Sequence, residues 1–198
     1  MKKLLNFIIA SLFILLIVTI FKMRVINTTV LLQAGHEGRT TGNTGSIHGD
    51  LKEADWNSFV TKEVEKELKR QGIDVTRVGA DIPAANTRIA IAIHFDGSTR
   101  PCSTGASIGY NQEDPNSKKL AQYWREIYQE YFPFKWHRDN FTKNLADYYG
   151  FSRVNSEKGF LVLELGEITC EEQTKWLKPR LEVIATKVAD FIIEELDQ

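Results

Sequence analysis

Arg88-Ile89-Ala90-Ile91-Ala92-Ile93-His94 is the stretch that decides the fold. Five apolar residues run unbroken and stop at a histidine, and Gly97 follows three residues later to permit a turn. A strand with one wet face would alternate with polar residues. This unbroken run predicts a strand buried on both faces, as in a parallel sheet. In open α/β sheets ligands bind beyond the carboxyl ends of such strands, so His94 sits where a functional group is expected. A strand-end histidine that only hydrogen-bonds in a turn is the competing reading, and His94 alone does not separate the two.

Outward from this strand the segments alternate in type. Asn27-Thr28-Thr29 reads as a polar link, and Val30-Leu31-Leu32 then starts a first strand ending at Gln33-Ala34-Gly35-His36. Gly38, Gly42, Gly45 and Gly49 mark residues 37–49 as loop. Asp50 with Glu53 has the spacing of a capping box. It opens a helix to about Gln71 with Trp56, Phe59, Val60, Val64 and Leu68 on one stripe and Gly72 at the C-terminal cap. Residues 73–78 alternate as a second strand, and a Pro83-containing link leads into the central one.

Beyond it, a short strand is expected around residues 106–110. A helix capped by Ser117 and ended by Pro133 follows, burying Leu120, Trp124, Ile127, Tyr128 and Tyr131. A further helix is predicted over 138–149. Phe160-Leu161-Val162-Leu163-Glu164-Leu165 is a buried strand with a charge inside it, and a last helix spans about 171–196 with Pro179 in an early turn. This order predicts an α/β fold, a mainly parallel twisted sheet flanked by helices.

The chain has 198 residues, 42% of them hydrophobic, enough for one domain and an extra segment. Residues 1–24 hold Lys2, Lys3, Lys22 and Arg24 and no acid, which leaves the remainder with 21 basic and 26 acidic residues. A mildly acidic body without a basic run argues against nucleic acid as a partner. Leu4 to Phe21 is apolar except for Asn6, Ser11 and Thr19. No small-x-small cleavage site or lipidatable cysteine follows, so residues 1–27 are expected to be an uncleaved transmembrane anchor. A cleaved signal segment is the alternative. Lys2, Lys3 and the terminal amine outweigh Lys22 and Arg24, which puts the N-terminus in the cytoplasm and the body, residues 28–198, outside in the cell envelope. Cys102 and Cys170 could pair in an oxidising compartment or stay idle buried thiols.

Three strands end in groups able to bind a metal or move a proton: His36, His94 and Glu164. Carboxyl ends of parallel strands share one sheet edge, and Glu53 begins the helix that leaves that edge. A carboxylate buried without a partner costs several kcal/mol, so Glu164 needs a partner or a task. Two imidazoles and one carboxylate suit a catalytic zinc that keeps its fourth position open. A further carboxylate off the metal then serves as general base.

Read in order, these stretches resemble the zinc-dependent N-acetylmuramoyl-L-alanine amidases of type 3. Gln33-Ala34-Gly35-His36-Glu37-Gly38 is similar to that family's strand ending in Gly-His-Gly-Gly. Ile91-Ala92-Ile93-His94-Phe95-Asp96 is similar to its Ser-Ile-His-Ala-Asn, and Ala84-Ala85-Asn86 to the Ala-Asn before it. Leu161-Val162-Leu163-Glu164-Leu165-Gly166 is similar to its Leu-Val-Glu-Leu-Gly-Phe. The resemblance covers about residues 30–195. It implies zinc held by His36, Glu53 and His94, with Glu164 as catalytic base and acid. The implied reaction is hydrolysis of the amide between N-acetylmuramic acid and L-alanine in peptidoglycan or muropeptides. No protein activator is indicated.

The chain departs from the pattern at Glu37, Phe95-Asp96 and Glu167. An extra acid near the metal, such as Glu37, would raise the pKa of Glu164 by like-charge repulsion. The departures keep two other readings in play: a non-catalytic envelope module that binds wall glycan or a partner protein, and a zinc peptidase on another amide. Other residues admit blander roles. Glu53 and Asp50 fit a helix cap, His48 a solvated loop, and Trp136, His137 and Arg138 either a substrate groove or a surface patch. Trp124, Tyr148 and Tyr149 read as core, and Asn57 as a ligand support or plain helix surface.

Overall fold

The computed structural model describes residues 9, 11–13 and 25–198. The expected anchor over residues 4–21 lies almost wholly outside the described residues. Among those described, no helix is long and apolar enough to cross a membrane.

Strand β5 (Ala85–Asp96) is the centre of the sheet, and Ile89, Ile91 and Ile93 are wholly buried along it. Burying each such side chain contributes about 1.5–3 kcal/mol, which is why the run stays interior. β1 (Ile26–Ala34) pairs parallel to β5, Ile26 against Ala85 through Ala34 against Ile93. β1 is longer than expected: Asn27, Thr28 and Thr29 belong to it, and the Asn86 side chain donates to Asn27 Oδ1 across the ladder. A hairpin of β2 (Ile47–His48) and β3 (Leu51–Lys52) stands apart from the main sheet. β4 (Val75–Val78) lies outside β1, also parallel. On the other side of β5 lie β7 (Val154–Ser156), at its start, and β8 (Phe160–Glu167), both parallel to it. β6 (Ala106–Gly109) closes that edge antiparallel to β8, giving the order β4-β1-β5-β8-β6. The expected mainly parallel α/β sheet is present.

The helices cover it unevenly. α1 (Glu53–Arg70), α2 (Pro115–Tyr131) and α5 (Leu181–Asp197) share one core with Ile89, Ile91, Ile93, Leu161 and Leu163 on a single face. On the opposite face Ala90, Ala92 and Val162 pack under Leu145, Tyr148 and Phe151. The helix expected over 138–149 is mostly irregular there, with α3 (Lys143–Ala146) and a 3-10 turn at Tyr149–Ser152. Hydrogen bonding to β6 wins over local propensity: Ala106 N donates to Lys135 O, His137 N to Ala106 O and Asn140 N to Ile108 O. Small residues on this face leave room for the site.

Other boundaries shift for local reasons. α1 begins at Glu53, with no side-chain cap from Lys52, because Gly49 and Asp50 are the turn of the β2–β3 hairpin. The expected Asp50–Glu53 capping box is therefore absent. Phe59, expected on the inner stripe, is 38% exposed. Asp114, not Ser117, caps α2, accepting from Asn116 N. The last predicted helix is two: α4 (Glu171–Leu177) and α5, joined by a 3-10 turn that contains Pro179.

Candidate metal centre

His36 follows directly on β1 with φ of 62°, a left-handed conformation that turns the chain sharply at the sheet edge. His94 is near the end of β5, and Glu53 is the first residue of α1. Glu53 Oε1 lies 3.2 Å from His36 Nε2 and 3.1 Å from His94 Nδ1. Candidate donor atoms of the three residues all fall within 4.8 Å of one another, a group that could hold a metal ion.

Hydrogen bonds dictate which nitrogen each imidazole presents. His36 Nδ1 lies 3.0 Å from Asn43 O. A carbonyl only accepts, so Nδ1 carries the proton and the neutral ring turns the Nε2 lone pair toward Glu53. The His94 ring is oriented through a longer chain. Gln33 Nε2 donates to Ala34 O (3.3 Å) and Gly79 O (3.2 Å), which directs Gln33 Oε1 to accept from the Tyr148 hydroxyl at 2.9 Å. The Tyr148 oxygen then accepts from His94 Nε2 at 3.3 Å, leaving the Nδ1 lone pair toward Glu53. Gly35 completes the seat: a Cβ there would lie 2.3 Å from His94 Cε1.

Glu53 is 4% exposed and held on both oxygens. Ser46 N donates to Oε2 at 2.8 Å, and Asn57 Nδ2 donates to Oε1 at 3.2 Å and to Gly35 O at 2.9 Å. Glu164 stands beside His94, its partner in the β5–β8 register. Its Oε2 is buried with no hydrogen-bond partner. Glu53, His36, His94 and Glu164 all line one cavity of about 520 Å³ at the carboxyl edge of the sheet.

A family model described as N-acetylmuramoyl-L-alanine amidase (Amidase_3) matches residues 30–194. The chain belongs to this amidase family. A search of curated proteins by sequence finds no match. Solved structures share the fold. The catalytic domain of the amidase CwlV from Bacillus (Paenibacillus) polymyxa has a TM-score of 0.64 at 19% identity, covering 86% of this chain and 98% of that one. Cwp6 from Clostridium difficile has 0.66 at 19%, covering 85% and 29%. The CwlD amidase of Clostridioides difficile, solved in complex with the GerS lipoprotein, has 0.63 at 17%, covering 86% and 99%.

The electrostatics of this family member divide its carboxylates. Burial opposes the charge of Glu53, yet hydrogen bonds and charge attraction from His36 and His94 outweigh it and hold its carboxyl well below the usual range. Burial likewise works against a protonated His36, and Glu53 reverses it, so His36 titrates above an ordinary histidine. Glu164 moves the other way. Burial, then the charges of Asp96 and Glu53, push it well above the carboxylate range. Asp96 is itself raised, chiefly by burial. Glu37, expected to be the acid that perturbs Glu164, points elsewhere: Arg77 Nη2 and Ser58 Oγ donate to its Oε1 at 2.8 and 2.7 Å. The perturbing acids are Asp96 and Glu53.

The other candidates separate in the same way. His48 is exposed on the hairpin, away from the cavity, and Asp50 only shapes its turn. His137 stacks on Phe141 with ring centroids 4.0 Å apart, its Nε2 3.1 Å from Thr104 Oγ1, and Trp136 lies under Arg125; neither lines the cavity. Trp124 is core, at 1% exposure. Asn57 is wholly buried as a support for Glu53. Tyr148 and Tyr149, read as core from sequence, line the cavity. Cys102 and Cys170 form a disulfide. Sequence reasoning missed Gln33, Asn43 and Ser46, whose only signal was polarity beside a motif.

Proposed function

We propose that this chain hydrolyses the amide joining N-acetylmuramic acid to L-alanine in peptidoglycan or muropeptides, with zinc held by His36, Glu53 and His94 and with Glu164 as the catalytic proton carrier. One observation carries the reading. Two imidazole lone pairs and a carboxylate oxygen are turned to one point, beside a buried carboxylate oxygen that no protein group satisfies. Two nitrogens and one carboxylate oxygen suit zinc, and the protonated Nδ1 of His36 and Nε2 of His94 have the supports such ligands need.

Zinc bound there supplies Lewis acidity toward the amide carbonyl and toward water. Glu164 provides the proton chemistry. Its surroundings give it a proton affinity above an ordinary carboxylate, so it takes a proton from attacking water and returns it to the leaving amine. Glu53 cannot share that task, because hydrogen bonds on both its oxygens hold it ionised.

The proposal puts the domain outside the cytoplasm, where the Cys102–Cys170 bond would persist and the substrate is met. The apolar run over residues 4–21 would tether it to the membrane.

The test is a mass-resolved digest of purified peptidoglycan by the full chain in detergent, with metal analysis of the same preparation. The expected products are intact stem peptides with a free L-alanine amine, from protein carrying one zinc per chain. Removal of zinc by a chelator abolishes release and added zinc restores it. Stem peptides cut internally would indicate a peptidase. Zinc-loaded protein that releases nothing would indicate a wall-binding module.

A further inference from the structure

The cavity over the metal centre is charged unevenly. Glu53, Asp96, Asp147 and Glu164 line it, and Arg39 is the one lysine or arginine among its described lining residues. We infer that Arg39 is a carboxylate-binding subsite for the peptide half of the substrate, an inference that rests on the amidase reading above.

Arg39 is built into the turn that carries His36. Its backbone N–H donates to His36 O at 3.1 Å. Its Nη1 donates to Asn43 O at 3.2 Å, the same carbonyl that orients His36. The guanidinium carbon lies 5.6 Å from the centre of the Tyr149 ring, and the Tyr149 hydroxyl is in turn tied to Ala80 O. One corner and one face of the guanidinium are thus fixed. Its Nε and Nη2 donate to no described residue, and no described carboxylate pairs with it. The partly buried Arg77 and Arg125 differ, each paired with an acid, Glu37 and Asp139. Arg39 is a planar donor fork with fixed orientation and no partner, the arrangement that binds a carboxylate through two parallel hydrogen bonds.

The chemistry of the substrate decides which half binds there. N-acetylmuramic acid gives its own carboxyl to the scissile amide, so free carboxylates lie on the peptide side. The four acids of the cavity repel an anion everywhere except beside Arg39. That polarity fixes the direction in which the amide crosses the site: peptide toward Arg39 and Tyr149, sugar away from them.

The test compares two synthetic substrates, an N-acetylmuramoyl-L-alanyl peptide with a free carboxylate on the residue after alanine, and the same peptide with that group as a primary amide. The wild-type chain is expected to favour the acid by about 10- to 100-fold in kcat/KM, the range of hydrogen bonds to charged groups. Arg39→Gln erases the preference, mainly by raising KM on the acid, and leaves the amide substrate nearly unchanged. Arg39→Lys restores part of it. Zinc content and thermal midpoint are measured for each variant, since Arg39 shares Asn43 O with His36. Equal cleavage of both substrates by the wild type, or an equal loss on both in Arg39→Gln, overturns the subsite. A wild-type chain that cleaves neither overturns the amidase reading, and the subsite falls with it.

Discussion

Glu164 and Glu167 lie three residues apart on β8 and are put to opposite uses. Glu167 is wholly buried yet fully satisfied: Cys102 N donates to its Oε1 at 2.9 Å, Thr104 N to its Oε2 at 2.8 Å, and Thr169 Oγ1 to its Oε1 at 2.5 Å. It ties the loop after β5 to the end of β8, and the Cys102–Cys170 bond closes the same corner. Glu164 has more room and fewer friends. Its Oε2 has no donor, and Asp96 and Glu53 repel its charge. A carboxylate supplied with N–H donors is structure; one denied them keeps a high proton affinity and remains available to chemistry. The backbone itself separates the two, through a register shift between β5 and β8 after His94 and a φ of 145° at Gly166.

The largest effect should come from exchanging roles at Glu164. Glu164→Gln is expected to lower kcat by about 10²–10⁴-fold while zinc content is retained. Its metal-free form should be at least as stable as wild type at pH 7, because a carboxyl raised in the folded state destabilises above its unfolded pKa. Metal analysis, kinetics and urea unfolding together check this, and a destabilised variant would erase the contrast with Glu167.

The satisfied side is tested by removing what holds its donors. Replacing Cys102 and Cys170 together by Ser should cost about 4 kcal/mol for a loop of 68 residues, read from urea midpoints. Glu167→Ala strands the Cys102 and Thr104 N–H groups and should cost about 3 kcal/mol, with kcat of the folded fraction nearly unchanged. A large fall in kcat there would mean that the two carboxylates are not separate in function.

Glu37 is a third case, a partly exposed carboxylate paired with Arg77 and held below the ordinary range: hydrogen bonds from Arg77 and Ser58 overcome its burial. Its folded pKa is depressed. The stability it adds is therefore present above its ordinary value of 4.5 and is lost as pH falls through the folded value. Glu37→Gln should cost about 1 kcal/mol at pH 7 and nothing at pH values below both pKa values, read as a difference in urea midpoints that closes on acidification.

The contrast also explains what could be read from the chain before its fold was known. Runs such as residues 89–93 and 160–163 name buried strands by composition, and the histidines at their ends follow from chain direction alone. Parallel pairing then brings His36, His94 and Glu164 to one edge. The supports were not readable in the same way. Tyr148 reaches Gln33 across 115 residues, and Tyr148-Tyr149 in sequence looks like any buried aromatic pair. The segment around it was read as helix because its polar residues carry no mark of the hydrogen bonds they make to β6.

Sequence by itself determined the strand order's raw material, the apolar core and the four site residues, because burial and chain direction act locally and repeat with a fixed period. Only the tertiary structure decided which nitrogen of each histidine faces the centre, that Glu53 is held ionised, that Glu37 turns away to Arg77, and that Glu164 is left without a donor while Glu167 receives three. Those outcomes depend on hydrogen bonds and charges between residues far apart in the chain, and no periodicity records them.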